Sequence, residues 1–214
     1  LSMVLGYASE LEDDCALPLE ARKQAGIIRR ESEKMKRLID DLNLTTKLEY
    51  ALQPVHFKEV DWAEICRQTV GEVLNSGLDS RYEIVLTEMQ PGHSIRLLGD
   101  DGLLRRMLNN LLFNSITHNP QGCKITLSVG EENGYCLCII SDNGAGISQE
   151  SLKALNRGDA IASTQDSSGT SEHGLGLKLV AQIVKAHHGT ISFSSSIPHG
   201  LKIRLSLPAQ PHFS

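Results

Sequence analysis

A long stretch without proline constrains the first quarter of the chain. From Glu20 to about Leu48 there is no Pro and a single Gly, and small or apolar residues recur at alternating spacings of four and three. These residues are Ala21, Ala25, Ile28, Ser32, Met35, Ile39 and Leu42. A heptad spacing of this kind predicts one long helix that packs along a narrow stripe and is solvated on its other faces.

A shorter segment, from Leu1 to about Asp13, repeats the same rhythm before Pro18 interrupts it. The two segments together predict an antiparallel helical hairpin over residues 1–50. Its narrow apolar stripe needs a second pair of helices to cover it. We therefore expect a homodimer in which two hairpins form a four-helix bundle. The alternative is an ordinary hairpin that packs on its own domain.

Composition limits the classes of partner. The 214 residues are 40% hydrophobic and 22% charged, which is usual for a globular protein. A net charge of −5 without a dense Lys and Arg run disfavours nucleic acid as a partner. Five cysteines without a CxxC spacing indicate neither a disulfide framework nor a zinc site. No apolar run is long enough to cross a bilayer, so we expect this part of the protein to be cytoplasmic.

The pattern changes near Tyr50 to Pro54, which predicts a linker and a second domain over residues 54–208. Asp61 and Asp100 are positioned to cap helices, the first running to about Asn75 and the second ending at Asn119-Pro120. A third helix is predicted from about Leu175 to His187. Strands are predicted at 82–87, 94–98, 124–130, 135–141, 190–195 and 201–207. This order predicts an α+β fold, a two-layer α/β sandwich with a largely antiparallel sheet.

Three polar or glycine-rich clusters follow one another in this domain. In the first, Asn110, Asn114 and His118 are four residues apart and share one stripe of the second helix. Amide oxygens on such a stripe can bind a magnesium ion that also holds phosphate oxygens. Asparagine on a helix is more often simply solvated, so this cluster indicates little by itself.

The second cluster, Asp142-Asn143-Gly144-Ala145-Gly146-Ile147, directly follows an apolar strand. Its glycines allow the backbone to approach a flat ligand, and a carboxylate at a strand end can accept a hydrogen bond from an exocyclic amine such as that of adenine. A plain turn is the alternative. The third cluster, Gly174-Leu175-Gly176-Leu177, opens a predicted helix, where backbone N–H groups and the helix dipole favour phosphate.

In combination and order, these clusters resemble the N, G1 and G2 boxes of the sensor histidine kinases, which bind ATP in a Bergerat-type fold. The heptad helix resembles the second helix of that family's dimerisation and phosphotransfer domain. The resemblance implies that Asn114 binds Mg²⁺, that Asp142 recognises the adenine of ATP, and that Asn110 and His118 line the phosphate side. It also implies a site shaped by the loop residues Gly144, Gly146, Ile147, Gly174, Leu175, Gly176 and Leu177, with residues 157–173 as an ATP lid.

The chain departs from the family pattern at three places. Thr117 stands where the N box usually has Lys, and Leu152 and Leu155 stand where a Phe-rich box is expected. The first residues, Leu1-Ser-Met-Val-Leu-Gly-Tyr, resemble the sequence that follows the phosphoacceptor His in this family. We therefore expect that acceptor to precede Leu1, and a membrane-bound parent protein that carries this part on its cytoplasmic side.

The resemblance implies transfer of the ATP γ-phosphoryl group to a histidine of the parent protein, and then to an aspartate of a response-regulator receiver domain. Two alternatives remain. One is an ATP-hydrolysing conformational switch of the same fold; that class carries a general-base Glu where this chain has Asn110, which cannot accept a proton from water. The other is a degenerate nucleotide-binding or dimerisation module.

Overall fold

The computed structural model describes residues 1–158 and 172–209, with the backbone alone for residues 172–174. Contacts divide the chain into two compact units, Leu1–Thr46 and Lys47–Ser214. Within the two described ranges, no helix is long and apolar enough to cross a membrane.

The first unit is the helical hairpin that the heptad spacing predicts. Helix α1 covers Ser2–Asp13 and helix α2 begins at Leu19 and ends at Glu49. Glu12 joins the two helices, because its carboxylate pairs with Arg29 at 2.6 Å and its backbone carbonyl accepts from Arg22 Nε at 2.8 Å. The small residues Ala8, Ala25 and Ser32 of the apolar stripe are buried. The larger residues of the stripe are about half exposed, namely Ile28, Met35, Ile39 and Leu42.

The second unit is built on a five-stranded sheet in the order β2-β4-β5-β7-β6. Strand β2 runs parallel to β4, and all other neighbours are antiparallel. A separate two-stranded antiparallel sheet joins β1 and β3. The strands are β1 Lys58–Asp61, β2 Glu83–Glu88, β3 Arg96–Gly99, β4 Lys124–Glu132, β5 Tyr135–Asp142, β6 Thr190–Ser195 and β7 Leu201–Pro208.

Within the described residues, four helices accompany this sheet: α3 Trp62–Asn75, α4 Asp101–His118, α5 Gln149–Arg157 and α6 Glu172–Ala186. Helix α4 contacts α3 and α6, α3 contacts β2 and β4, and α5 contacts β6. Strand β7 shows the alternation of a sheet with one covered face, because Ile203 and Leu205 are buried while Lys202 and Arg204 are exposed. The predicted α+β two-layer architecture is confirmed.

Local signals set two helix starts as predicted, and a local pair of residues also sets one tight turn. Asp61 accepts a hydrogen bond from Glu64 N at 3.0 Å, and Asp100 accepts from Leu103 N at 3.2 Å, so both carboxylates cap the helices that follow them. Asn133 and Gly134, at φ +52° and +79°, turn the chain from β4 into β5.

Three elements differ from the prediction. Strand β1 and helix α5 were not predicted, and both are short, with four and nine residues, so each offers little length over which a period can be recognised. Helix α6 begins at Glu172 rather than near Leu175, since a helix tolerates glycine close to its start at a cost of about 1 kcal/mol.

Candidate functional site

Asp142 lies at the end of β5 and is buried, with 6% of its surface exposed. Its Oδ1 accepts hydrogen bonds from Gly144 N at 3.0 Å and from Leu201 N at 3.3 Å. Ser115 Oγ lies 3.4 Å from Oδ2. Since all of these partners are donors, the carboxylate is arranged as an acceptor, and Oδ2 retains capacity for a further donor.

Asn119, the residue after α4, joins this helix to the loop that follows Asp142. Its Nδ2 donates to Ser115 O at 2.8 Å, and its Oδ1 accepts from Ala145 N at 3.0 Å. The amide occupies the space beside Gly144 so completely that a Cβ at that position would lie 1.7 Å from Asn119 Oδ1. Gly144 is therefore required by close packing rather than by its backbone angles.

The turn between β6 and β7 packs on the same loop. A Cβ on Gly200, at φ +113°, would lie 2.0 Å from Asp142 O, and Gly146, at φ +72°, has the Gly200 backbone as its nearest neighbour. His199 Nδ1 donates to Gly144 O at 2.9 Å. This turn therefore holds the loop in addition to Asn119.

The polar stripe of α4 lies beside this carboxylate. Asn110 and Asn114 are partly buried, and His118 is the exposed last residue of the helix. Ser115, the neighbour of Asn114, contacts Asp142 directly. Asn110 Nδ2 is buried and has no hydrogen-bond partner among the residues that the structure describes. A buried amide donor left without an acceptor costs free energy, so this atom is suited to an anionic or carbonyl oxygen from a ligand.

The third cluster lies in the first turns of α6. Gly174 is helical, Leu175, Gly176 and Leu177 are partly buried, and α6 packs against α4. A Cβ on Gly176 would meet nothing within 4 Å, so close packing within the described residues does not require glycine there. Most of the predicted lid, residues 159–171, falls outside the described residues.

The structure thus brings α4, the helix that carries the first cluster, into direct contact with the second cluster through Ser115 and Asn119, and it places the third cluster on the neighbouring helix. Sequence reasoning missed several contributors, namely Ser115, Asn119, His199, Gly200 and Leu201. Ser115 and Asn119 directly follow Asn114 and His118 of the first cluster, so their position was a usable signal. The residues of the β6–β7 turn lie almost 60 positions after Asp142, and only a local Pro-His-Gly sequence marked them.

Comparisons with known proteins concern the family and the fold of the chain. The family model of histidine kinase-, DNA gyrase B- and HSP90-like ATPases matches residues 99–211, more than half of the chain. The sensor histidine kinase YvrG of Bacillus subtilis is 29% identical over 98% of this chain and 36% of its own length. The chain spans about a third to a half of the length of the curated relatives it matches.

Two solved structures show the same fold. Full-length ShkA in complex with AMPPNP has a TM-score of 0.75 and 22% identity, over 99% of this chain and 43% of that chain. Histidine kinase ThkA, solved in complex with the response regulator protein TrrA, has a TM-score of 0.68 and 17% identity over 97% of this chain and 57% of that one. The resemblance to sensor histidine kinases is confirmed. The chain belongs to the family of histidine kinase-, DNA gyrase B- and HSP90-like ATPases, and within that family its relatives are sensor histidine kinases.

Proposed function

We propose that this chain is the ATP-binding catalytic region of a sensor histidine kinase, which transfers the γ-phosphoryl group of ATP to a histidine of its parent protein. From there the group passes to an aspartate of a response regulator. The observation that carries the proposal is the buried Asp142 carboxylate, which accepts from Gly144 N and Leu201 N and keeps capacity on Oδ2. An adenine amine is a donor that fits this acceptor.

The loop residues after Asp142 support binding of a flat base. Gly144 and Gly146 present backbone without side chains, while Ile147, 37% exposed, offers an apolar surface beside them. The neighbouring carboxylate of Asp142 favours a ligand whose edge carries a hydrogen-bond donor. We therefore assign adenine binding to Asp142, Gly144, Gly146 and Ile147.

The phosphate side is assigned to α4 and to the start of α6. The donor Asn110 Nδ2 is buried without a partner in the described part of the chain and suits a phosphate oxygen. His118 lies two helical turns further on the same stripe. Residues Gly174, Leu175, Gly176 and Leu177 lie on the helix packed beside it. Backbone N–H groups near a helix start favour phosphate.

Magnesium is assigned to Asn114. In the described ranges no three His, Cys, Asp or Glu side chains converge as metal ligands. An ion bound here would take most of its ligands from phosphate and water, which is how Mg²⁺ is commonly held beside a nucleotide. Bound Mg²⁺ would neutralise phosphate charge, and the Asn114 amide would fix its place relative to Asp142.

Phosphoryl transfer requires mainly positioning and charge neutralisation, so the site needs no nucleophile of its own. The acceptor histidine supplies it. Asn110, in contrast to a glutamate, cannot act as general base toward water. We therefore expect slow steady-state ATP hydrolysis by this chain in the absence of an acceptor; rapid hydrolysis would instead favour the ATP-driven switch.

The partners follow from the same assignment. We propose a homodimer formed through residues 1–50, because the exposed side chains of Ile28, Met35, Ile39 and Leu42 form an apolar stripe on α2. Residues 54–208 form the proposed catalytic domain. A receiver domain as partner is supported by the ThkA complex, and a membrane-bound parent protein remains part of the proposal.

Calorimetric titration of the chain with ADP and Mg²⁺ tests the proposed function. The wild-type chain should bind, Asp142→Ala should weaken binding at least about tenfold, and Asp79→Ala should leave it unchanged. Asp79 is a matched control, since its carboxylate is held by Arg81 on the surface at 2.7 Å. Absence of binding by the folded wild-type chain would favour a degenerate module, and equal binding by Asp142→Ala would refute the adenine assignment.

A further inference from the structure

Asn119 links α4 to the loop after Asp142 through hydrogen bonds, although it is not one of the residues assigned to adenine binding. It lies just beyond α4 and is buried, and all four of its polar groups are bonded. Its side chain bridges Ser115 O and Ala145 N, its backbone N–H donates to Ile116 O at 3.3 Å, and its backbone carbonyl accepts from Gly122 N at 2.9 Å. The backbone of Asn119 is thus fixed in the turn, and its amide spans the gap between α4 and the loop.

The two partners of the amide fix its orientation. Ser115 O is an acceptor and Ala145 N–H is a donor, so the amide nitrogen must face the helix and the oxygen must face the loop. The reverse orientation would oppose two donors on one side and two acceptors on the other. Because the site is buried, either mismatch would leave unpaired polar groups.

The bridge acts on Asp142 through one short backbone segment. Ala145 N is held by Asn119, and the preceding residue, Gly144, donates to Asp142 Oδ1. Gly144 also packs against the Asn119 amide with no space for a side chain. The position of the Gly144 N–H, and with it the direction of the Asp142 carboxylate, therefore depends on the Asn119 side chain.

We propose that Asn119 is a positioning residue that sets the selectivity of the site for a base bearing an exocyclic amine. It does so by holding Gly144 and Ala145 where they aim Asp142 Oδ2 at that amine. This inference rests on the proposed adenine site. Without the bridge the loop keeps its contact with the β6–β7 turn, where His199 Nδ1 donates to Gly144 O, and the carboxylate keeps Leu201 N and the long contact with Ser115 Oγ. The link from α4 that fixes Ala145 N is lost.

The test compares the affinities of ADP and IDP, each with Mg²⁺, by calorimetry. IDP carries a carbonyl in place of the adenine amine and gains nothing from a well-aimed carboxylate. For Asn119→Ala we expect ADP affinity to fall about tenfold and IDP affinity to change less than about twofold, so the ADP preference shrinks. Asn119→Leu, which keeps most of the volume, should show the same loss of preference if Ala does not fold.

Gln90→Ala is the matched control. Gln90 is also an amide that bridges backbone, donating to Glu131 O at 3.1 Å and accepting from Glu131 N at 3.2 Å, on the surface by β4. It should leave both affinities unchanged. Equal weakening of ADP and IDP in folded Asn119 variants, or an unchanged ADP preference, would overturn the inference. Absence of ADP binding by the wild-type chain would instead refute the proposed function.

Discussion

His187 Nε2 accepts a hydrogen bond from the backbone N–H of Asp100 at 3.0 Å, which joins the end of α6 to the start of α4. Its Nδ1 lies 2.8 Å from Ile183 O, so this nitrogen carries the proton and the ring is neutral. Phe57 packs edge-on against the ring, with centroids 5.5 Å apart. The two helices assigned to the phosphate side are thus connected through an imidazole that cannot be protonated without losing a bond.

Stability should therefore fall in mildly acidic solution. Burial lowers the pKa of His187 below its usual value of 6.5, an effect that His188 reinforces and that Ile183 O and Asp100 oppose. The unfolded chain binds this proton near pH 6.5 and the folded chain only at lower pH. The contribution of His187 to the free energy of unfolding is complete above pH 6.5. It is lost as the pH falls through that value toward the pKa of His187 in the folded chain. Urea unfolding at pH 8, 7, 6 and 5.5 measures it.

The variant His187→Gln separates the contribution of His187 to the pH dependence of stability from that of the other titratable groups. In His187→Gln, Oε1 can accept from Asp100 N without titrating, so its stability should decline less between pH 7 and 5.5 than that of the wild-type chain. The other seven histidines are common to both proteins. Identical declines would show that His187 does not contribute to the pH dependence.

Two glycine substitutions should have opposite effects on stability. Gly144→Ala places a methyl group against the Asn119 amide and should cost about 2–3 kcal/mol. Gly176→Ala adds a methyl group to open space within α6 and should stabilise by up to about 1 kcal/mol. Thermal unfolding followed by circular dichroism compares them. A destabilised Gly176→Ala would indicate a backbone or neighbour requirement that the described residues do not contain.

An aspartate on the exposed stripe of α2 should weaken the proposed dimer. Ile39 is 51% exposed, and Ile39→Asp would bury a charge at an interface between two hairpins. We expect the dimer dissociation constant to rise more than about tenfold in sedimentation experiments. Lys23→Asp, an exposed position on the same helix, is the control. A wild-type chain that is monomeric at all concentrations would contradict the dimer.

Loss of the indole donor should destabilise the second unit. Trp62 is fully buried and its Nε1 donates to Leu137 O of the central strand β5 at 3.2 Å. Trp62→Phe leaves that carbonyl without this donor and should cost about 2 kcal/mol. Because Trp62 is the only tryptophan, unfolding of the variant has to be followed by circular dichroism rather than fluorescence. A cost below about 0.5 kcal/mol would show that the bond is dispensable.

The candidate site divides into a part that the sequence predicted and a part that it did not. Asp142, Gly144 and Gly146 were recognisable because they lie within five residues of sequence at the end of an apolar strand. Asn119 stands next to His118 of the first cluster, but its role could not be predicted. Its side-chain amide can form many different hydrogen bonds, and only the fold places Ala145 N beside it. Gly200 could not be associated with Asp142 at all, because the strand pairing between β5 and β7 that brings them together is non-local.

The sequence by itself determined the features whose physics is local. The heptad spacing determined the hairpin, the carboxylates Asp61 and Asp100 determined two helix starts, and the Asn133-Gly134 pair determined the turn between β4 and β5. Each depends on atoms within a few residues. Only the tertiary structure decided that Asn119 and the β6–β7 turn hold the loop after Asp142. Those contacts join residues 26 and more positions apart, so they exist only after the sheet has formed and α4 has packed on it.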